Sequence, residues 1–151
     1  MPHTNPQKIP LIQGFWSEST GDAASLRLIG NKCKACGEIF FPPRRRPWCI
    51  HCQQGALEEV SLGPRGKIAT FSIVMQAPGG GFYKGTVPYA YGCVDLPEGV
   101  RVKALFAGAD FDRLTVGQEV ELVIDPLYQD DNGQDVVTFK FKPIEGQGGK
   151  P

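Results

Sequence analysis

In the second half of the chain, apolar and polar residues alternate with a period of two, the pattern of a half-buried β-strand. Lys67–Met75 predicts a first strand, opened by Gly63-Pro64-Arg65-Gly66. Tyr89–Leu96 and Val100–Phe106 predict two more, and Pro97-Glu98-Gly99 between them is a tight turn, so they form a hairpin. Glu119–Asp125 alternates acidic and apolar residues. Val136–Lys142 places Val137, Phe139 and Phe141 inward and Thr138, Lys140 and Lys142 outward. Asp130-Asp131-Asn132-Gly133 is the turn between those two strands, and Asp110–Val116 is a turn or one short helical piece. Five strands with short turns fit a small Greek-key barrel of the OB type. A five-stranded SH3-like barrel is the nearest rival, and periodicity does not separate the two.

The first third reads differently. Pro2–Pro10 is an extended arm. In Leu11–Ser19 the residues Leu11, Ile12, Phe15 and Trp16 fall on one side at helical spacing, which predicts a short helix. Such a segment is not stable alone and must dock its apolar face on the core or on a partner, with Phe15 and Trp16 as candidate interface anchors. Leu26–Ile29 predicts a strand. The expected organisation is mainly β: an N-terminal arm with a short helix (1–22), a four-cysteine zinc ribbon (23–60), a five-stranded OB-type barrel (61–144) and a disordered Gly-rich tail (145–151). One connection is too long for a turn. Residues 77–88 carry a run of glycines, then Phe82, Tyr83 and Lys84, which predicts either a floppy surface loop or a lid or partner-contacting loop. The order Lys84-Gly85-Thr86 is not that of a phosphate-binding P-loop.

Formal net charge is zero, so no global pull toward nucleic acid or membrane is expected. The charge is unevenly spread. Five basic residues stand against one acid between Asn31 and Cys52, whereas ten acids face three basic residues between Val94 and Val137. No apolar run approaches the ~20 residues that span a bilayer, and Met1–Pro10 does not resemble a signal peptide. Cytoplasmic localisation is the expectation.

The chemistry lies in four of the five cysteines. Cys33-x-x-Cys36-Gly37 and Cys49-x-x-Cys52 are paired knuckles, each turning two sulfurs toward one point. Four thiolates in a tetrahedron suit Zn²⁺, which accepts sulfur donors and has no geometric preference of its own. The closed ligand set leaves no open position, so the site reads as a structural staple. Two alternatives share the spacing: a pair of disulfides, which needs an oxidising compartment, and iron in a rubredoxin-like site, which would make an electron carrier. His51, between two ligands, reads as a neighbour of the site. Cys93, in an apolar strand, reads as a structural core thiol.

Several segments together carry a family resemblance: Trp16, the two Cys-x-x-Cys pairs, Phe41-Pro42-Pro43-Arg44, Gly63-x-x-Gly66, Val87-Pro88-Tyr89, Leu96–Arg101 and Val116–Val120. From about Phe15 to Pro143 the chain resembles the acyl-CoA-associated proteins in which a rubredoxin-like zinc ribbon precedes an OB-fold. The 79–84 loop and Pro88–Tyr91 are similar to the members that partner thiolases of anaerobic aromatic breakdown. The resemblance implies a non-catalytic subunit that pairs with a thiolase-fold enzyme and helps hold a coenzyme A thioester at the interface. On that reading Arg44, Arg45, Arg46, Phe82, Tyr83 and Lys84 are candidate coenzyme A or partner contacts; for the arginines, simple compensation of a negatively charged Zn²⁺–Cys₄ site competes.

The residues agree on one point. Thiolase chemistry needs a nucleophilic cysteine, a base that activates it and a proton donor for the carbanion. Here four cysteines are committed to metal, Cys93 is mid-strand, and neither His3 nor His51 sits in a catalytic motif, so a catalytic partner is required. The competing class is a single-stranded nucleic-acid-binding module, since zinc ribbons and OB barrels both serve there. Zero net charge, an acidic second half and the lack of interleaved basic and aromatic residues along the barrel strands speak against it.

Overall fold

A computed structural model of the chain describes residues 8–17, 25–81, 84–108 and 111–144. Among these residues ten strands form two sheets. The first sheet is built on β3 (Arg27–Cys33). One edge of β3 pairs along its length with β5 (Leu57–Leu62). The other edge is shared by β2 (Trp16–Ser17) near its start and β4 (Ile39–Phe40) near its end.

The second sheet closes on itself. In order around the ring run β6 (Arg65–Val74), β7 (Tyr89–Asp95), β8 (Arg101–Phe106), β10 (Asp135–Pro143) and β9 (Glu119–Gln129), and β9 pairs again with β6. All pairings within the ring are antiparallel except β8–β10, which is parallel. This is a closed five-stranded barrel; the strand count fits the expectation, and the order with its parallel β8–β10 pair gives the OB connectivity. Closure removes the free edges of an open sheet. Where β10 begins, β8 has not yet reached it, and β1 (Lys8–Pro10) fills that stretch of edge in parallel.

Local chemistry explains the closure. β6 carries a register shift between Ile68 and Thr70 where it bends against β7, and bulges sharpen strand curvature in this way. Gly92 of β7 sits under that bend, where a Cβ would land on the backbone of Thr70 and Phe71. Only glycine lets the strands approach so closely. The Pro97–Gly99 turn forms as predicted, with the Gly99 amide donating to the Leu96 carbonyl at 3.0 Å.

One apolar core serves both sheets. Leu26, Leu28 and Leu62 from the first sheet pack with Ile68, Val94, Val102, Val120 and Phe141 of the barrel. Phe141 is the largest fully buried side chain. The alternation expected along β10 holds at Phe141 and Lys142 but fails at its start. The register slips between Val136 and Val137, and Thr138, expected outward, is 8% exposed.

No α-helix occurs among the described residues, and the short helix expected over Leu11–Ser19 is not formed. Leu11–Phe15 are turns and bends, Trp16 and Ser17 are strand, and Glu18 and Ser19 lie outside the described residues. The reason is physical. A segment this short cannot repay helix nucleation, Gly14 takes φ +85°, and neighbouring strands supply better backbone partners. The Leu11 amide donates to the Val137 carbonyl at 2.8 Å and the Ile29 amide donates to the Phe15 carbonyl at 2.8 Å. Leu11 and Ile12, meant for the apolar face, are exposed. The expected tail, 145–151, also lies outside the described residues. The Asp110–Val116 segment contains a 3₁₀ turn at Phe111–Arg113.

Truncating Phe141 to Ala is expected to cost about 3–5 kcal/mol in urea denaturation, the range for a buried phenylalanine. Gly92→Ala should destabilise the barrel by a comparable amount despite adding a single methyl. A Gly92→Ala protein with unchanged denaturation midpoint would show that β6 and β7 do not meet as closely as described.

Candidate metal centre and adjoining surfaces

The two knuckles are built alike. In the first, the Gly37 amide donates to the Cys33 carbonyl at 3.0 Å, and in the second the Gln53 amide donates to the Cys49 carbonyl at 3.0 Å. Each turn ends on a left-handed residue: Gly37 at φ +79° and Gln53 at φ 63°. Glycine accepts that conformation freely; Gln53 is the one described non-glycine residue that adopts it. The leading sulfur of each knuckle accepts two backbone N–H groups. Cys33 Sγ receives Ala35 at 3.3 Å and Cys36 at 3.4 Å; Cys49 Sγ receives His51 at 3.3 Å and Cys52 at 3.4 Å.

The knuckles face each other, with all four sulfurs within 4.8 Å of one another. Cys33–Cys52 and Cys36–Cys49 are each 3.7 Å apart. Metal–sulfur bonds of about 2.3 Å in a tetrahedron give edges of about 3.8 Å, so the cluster has the size of a Cys₄ metal site. Disulfide sulfurs would be about 2.05 Å apart, and all five cysteines are free. Gly55 makes room: a Cβ there would strike Cys33 Sγ and Ala35. Cys33 and Cys49 are buried, Cys52 is half-buried, and Cys36 is exposed.

The electrostatics also ask for a cation. The Cys36 and Ala35 amides draw the Cys33 thiol down to about 6, and the Gln54 and Gly55 amides lower that of Cys52. At Cys36 the Glu38 amide favours the thiolate, but desolvation and the three neighbouring sulfurs push its pKa up to about 12. Without a cation the sulfurs compete for negative charge; a divalent ion at their centre lets all four ionise. His51 Nδ1 lies 3.8 Å from Cys36 Sγ, beside the cluster as expected.

Between the knuckles, Phe41-Pro42-Pro43-Arg44-Arg45-Arg46 does two jobs. Phe41 turns inward. Its ring meets Phe15 at 5.6 Å and Phe139 of β10 at 5.6 Å, and Phe15 and Trp16 also contact Phe139 at 6.5 and 6.3 Å. Phe15 and Trp16 are therefore half-buried within this chain, on the junction between the sheets. The arginines turn outward and, with Pro42 and Pro43, line an open groove of ≈ 320 Å³. The Arg44 guanidinium lies 5.4 Å from the Phe40 ring centroid and that of Arg46 5.9 Å from Trp48. Trp48, half exposed, was not singled out by sequence; the signal was an aromatic residue directly after a basic run.

A second surface lies at one side of the barrel, where a pocket of ≈ 160 Å³ is lined by Thr86, Tyr89, Leu105, Phe111, Asp125 and Lys140, among others. Lys140 Nζ and Asp125 Oδ2 pair there at 2.8 Å. Lys84 Nζ lies 5.7 Å from the Tyr128 ring centroid, and Tyr89 and Tyr91 are 6.4 Å apart. Phe82 and Tyr83 lie outside the described residues. The arginine loop and Lys84 belong to different surfaces, one lining the ribbon groove and the other standing over Tyr128 of β9. Strand alternation carried no signal that Asp125 and Lys140 would share a pocket, because the pairing of β9 with β10 brings them together.

Comparison with known proteins places the whole arrangement. Residues 21–58 match the family model described as the ChsH2 rubredoxin-like zinc ribbon domain, and residues 59–125 match the ChsH2 C-terminal OB-fold domain. The chain belongs to the ChsH2 (DUF35) family. A DUF35 domain-containing scaffold protein from Methanocaldococcus jannaschii is 34% identical, over 78% of this chain and 82% of its own length. The benzoylsuccinyl-CoA thiolase subunit BbsA from Thauera aromatica is 32% identical, over 95% of this chain and 96% of its own. Among solved structures, the Ltp2-ChsH2(DUF35) aldolase matches with a TM-score of 0.58 and 26% identity, covering 78% of this chain and 84% of that one.

In metal analysis the purified protein is expected to carry one equivalent of metal per chain, and a strong chelator should unfold the ribbon. Cys49→Ser should abolish metal retention and folding of the ribbon together, since metal binding contributes about 10 kcal/mol or more in small ribbons. A folded, metal-free Cys49→Ser protein by circular dichroism would remove the staple role. Gly37→Ala should cost about 1–2 kcal/mol through its left-handed backbone alone.

Proposed function

We propose that this chain is the non-catalytic subunit of a complex with a thiolase-fold enzyme acting on a coenzyme A thioester, with Zn²⁺ in the Cys₄ site as a structural staple. The observation that carries the reading is the likeness to the thiolase subunit BbsA along nearly the full length of both chains. It is supported by what the chain lacks for chemistry of its own. Its two histidines are His3 and His51, and His51 lies against the cysteine cluster. Cys93 lies in β7, in the barrel wall, where its cross-strand neighbours are Thr70 and Lys103. Among the described residues no nucleophile–base pair of the kind thiolysis requires is present.

In this role the chain contributes surface. The ribbon and barrel share one core and act as a rigid wedge. The side of the barrel with its ≈ 160 Å³ pocket, together with the adjoining 84–88 segment, faces the partner or the acyl group. Phe15 and Trp16 fasten the arm at the ribbon–barrel junction, against Phe139. The finer reading follows the same relative: thiolytic cleavage of benzoylsuccinyl-CoA, in which a carbon–carbon bond of the 3-oxoacyl group breaks as a new thioester forms on a second coenzyme A. Among the described residues no helix is long and apolar enough to cross a membrane.

Co-expression with a thiolase-fold enzyme from the same genome should yield one species on gel filtration. Thiolysis of benzoylsuccinyl-CoA should fall by two orders of magnitude or more when this chain is omitted, a loss of about 2.7 kcal/mol in barrier terms. Separate elution of the two proteins, with full activity from the partner alone, would end this reading. A complex active only on other 3-oxoacyl-CoA thioesters would keep the subunit role and remove the substrate.

A further inference from the structure

The four sulfurs of the knuckles are not equally secured. Cys33 and Cys49 are buried, and each accepts two backbone N–H groups. Cys52 is half-buried. Cys36 alone of the four is exposed, so it is the sulfur that an electrophile reaches first. A fifth donor stands beside it. His51 sits between Cys49 and Cys52, and its amide donates to Cys49 Sγ at 3.3 Å, so the second knuckle fixes its backbone. Its ring crosses to the opposite knuckle, where Nδ1 lies 3.8 Å from Cys36 Sγ. Neighbouring donors in a tetrahedral sulfur site are also about 3.8 Å apart, so the ring stands one ligand spacing from Cys36. It is not itself in the set: the donors within 4.8 Å of one another are the four cysteine sulfurs.

Two roles fit a histidine in that place. It can donate an N–H to the Cys36 thiolate and damp its charge, or it can replace that thiolate. At 3.8 Å the contact is longer than the four amide-to-sulfur bonds of the same site, which are 3.3–3.4 Å. The ring is exposed, and Cys36 Sγ is its one polar contact among the described residues, so it can turn about its own side-chain bonds while the knuckle backbone stays in place. Neutral imidazole is a good zinc donor, and three cysteines with one histidine form an ordinary structural zinc set. We propose that His51 is a reserve metal ligand, which takes the place of Cys36 when that sulfur is lost or chemically modified, so that the ribbon keeps its metal and its fold as a Cys₃His site. Alkylation gives the clearest case. The Cys36 sulfur displaces iodide from iodoacetamide, a C–S bond replaces the C–I bond, and the neutral thioether that results is a poorer donor than imidazole. Cys36 is then the expendable corner of the staple, and Cys33, Cys49 and Cys52 are the permanent ones. The proposal rests on the metal reading of the four-cysteine cluster and is independent of the thiolase partner.

The test uses the full chain with Co²⁺ as the probe, because its absorption distinguishes sulfur from nitrogen donors. Wild type should bind one Co²⁺ with the spectrum of four sulfurs, and His51→Ala should match it. Cys36→Ala should still bind one Co²⁺, with sulfur-to-metal charge-transfer absorption lower by about a quarter, one bond of four. Its visible bands should move to shorter wavelength, the mark of a nitrogen donor. Cys36→Ala/His51→Ala should bind at least ~100-fold more weakly than Cys36→Ala, beyond the ~10–100-fold cost of removing a partner outside the ligand set. A smaller loss would leave His51 a hydrogen-bond partner only and overturn the proposal, as would a Cys36→Ala protein that takes up no Co²⁺. A second measurement leaves Cys36 unmutated, so that a folding failure of Cys36→Ala does not decide the matter alone. The folded, loaded protein is treated with iodoacetamide, and peptide mass mapping should find Cys36 alkylated first among the four. Wild type should then keep its metal and His51→Ala should release it; equal release from both would overturn the reserve ligand. Wild-type protein that takes up no metal would remove the staple and this inference together, whereas failure confined to the Cys36 and His51 variants would leave the Cys₄ staple standing.

Discussion

The structure hangs on an aromatic junction. Phe41 from the ribbon and Phe15 and Trp16 from the N-terminal segment converge on Phe139 of the barrel, with ring centroids 5.6 to 6.5 Å apart. Tilted and edge-to-face contacts of this kind are worth ~0.5–1.5 kcal/mol each beyond the area they bury. More important is what they connect. The ribbon is too small to own a core, and its apolar residues Leu26, Leu28 and Leu62 are buried only because the barrel receives them. Without the junction, the four-cysteine site would be a tethered bead.

That arrangement explains the economy of the Phe40–Arg46 segment. Adjacent residues face opposite ways: Phe41 docks into the junction, while Phe40 supports the Arg44 guanidinium. The metal knuckles bracket the segment on both sides, and the Asn31 side chain holds the Arg44 amide. A loop that would otherwise cost conformational entropy on meeting a ligand is held in place beforehand.

The barrel supplies the second constraint. Closure through the parallel β8–β10 pair leaves one edge of β10 open at its start, and the arm strand β1 completes it. The same arm continues to Phe15 and Trp16, so one segment seals the barrel edge and fastens the ribbon. On another side, the 84–88 segment, β9 and β10 assemble the small pocket containing Lys140 and Asp125. The two candidate binding surfaces therefore belong to one rigid body held by a single core.

Sequence alone determined the features that are local in origin. The Cys-x-x-Cys spacing sets each knuckle, alternation sets β6 to β10, and Pro97-Glu98-Gly99 and Asp130–Gly133 set their turns, because each depends on neighbours a few residues away. The convergence of the four cysteines was legible for the same reason. Tertiary structure decided the rest. Leu11, Ile12, Phe15 and Trp16 carry a helical pattern, yet the backbone there bonds to Val137 and Ile29, distant partners that no local pattern encodes. Thr138 is buried because a register slip shifts the alternation, and Trp48 becomes a platform only because Arg46 folds over it. Short-range propensity fixes elements; which faces meet is fixed by burial and by backbone groups seeking partners across the fold.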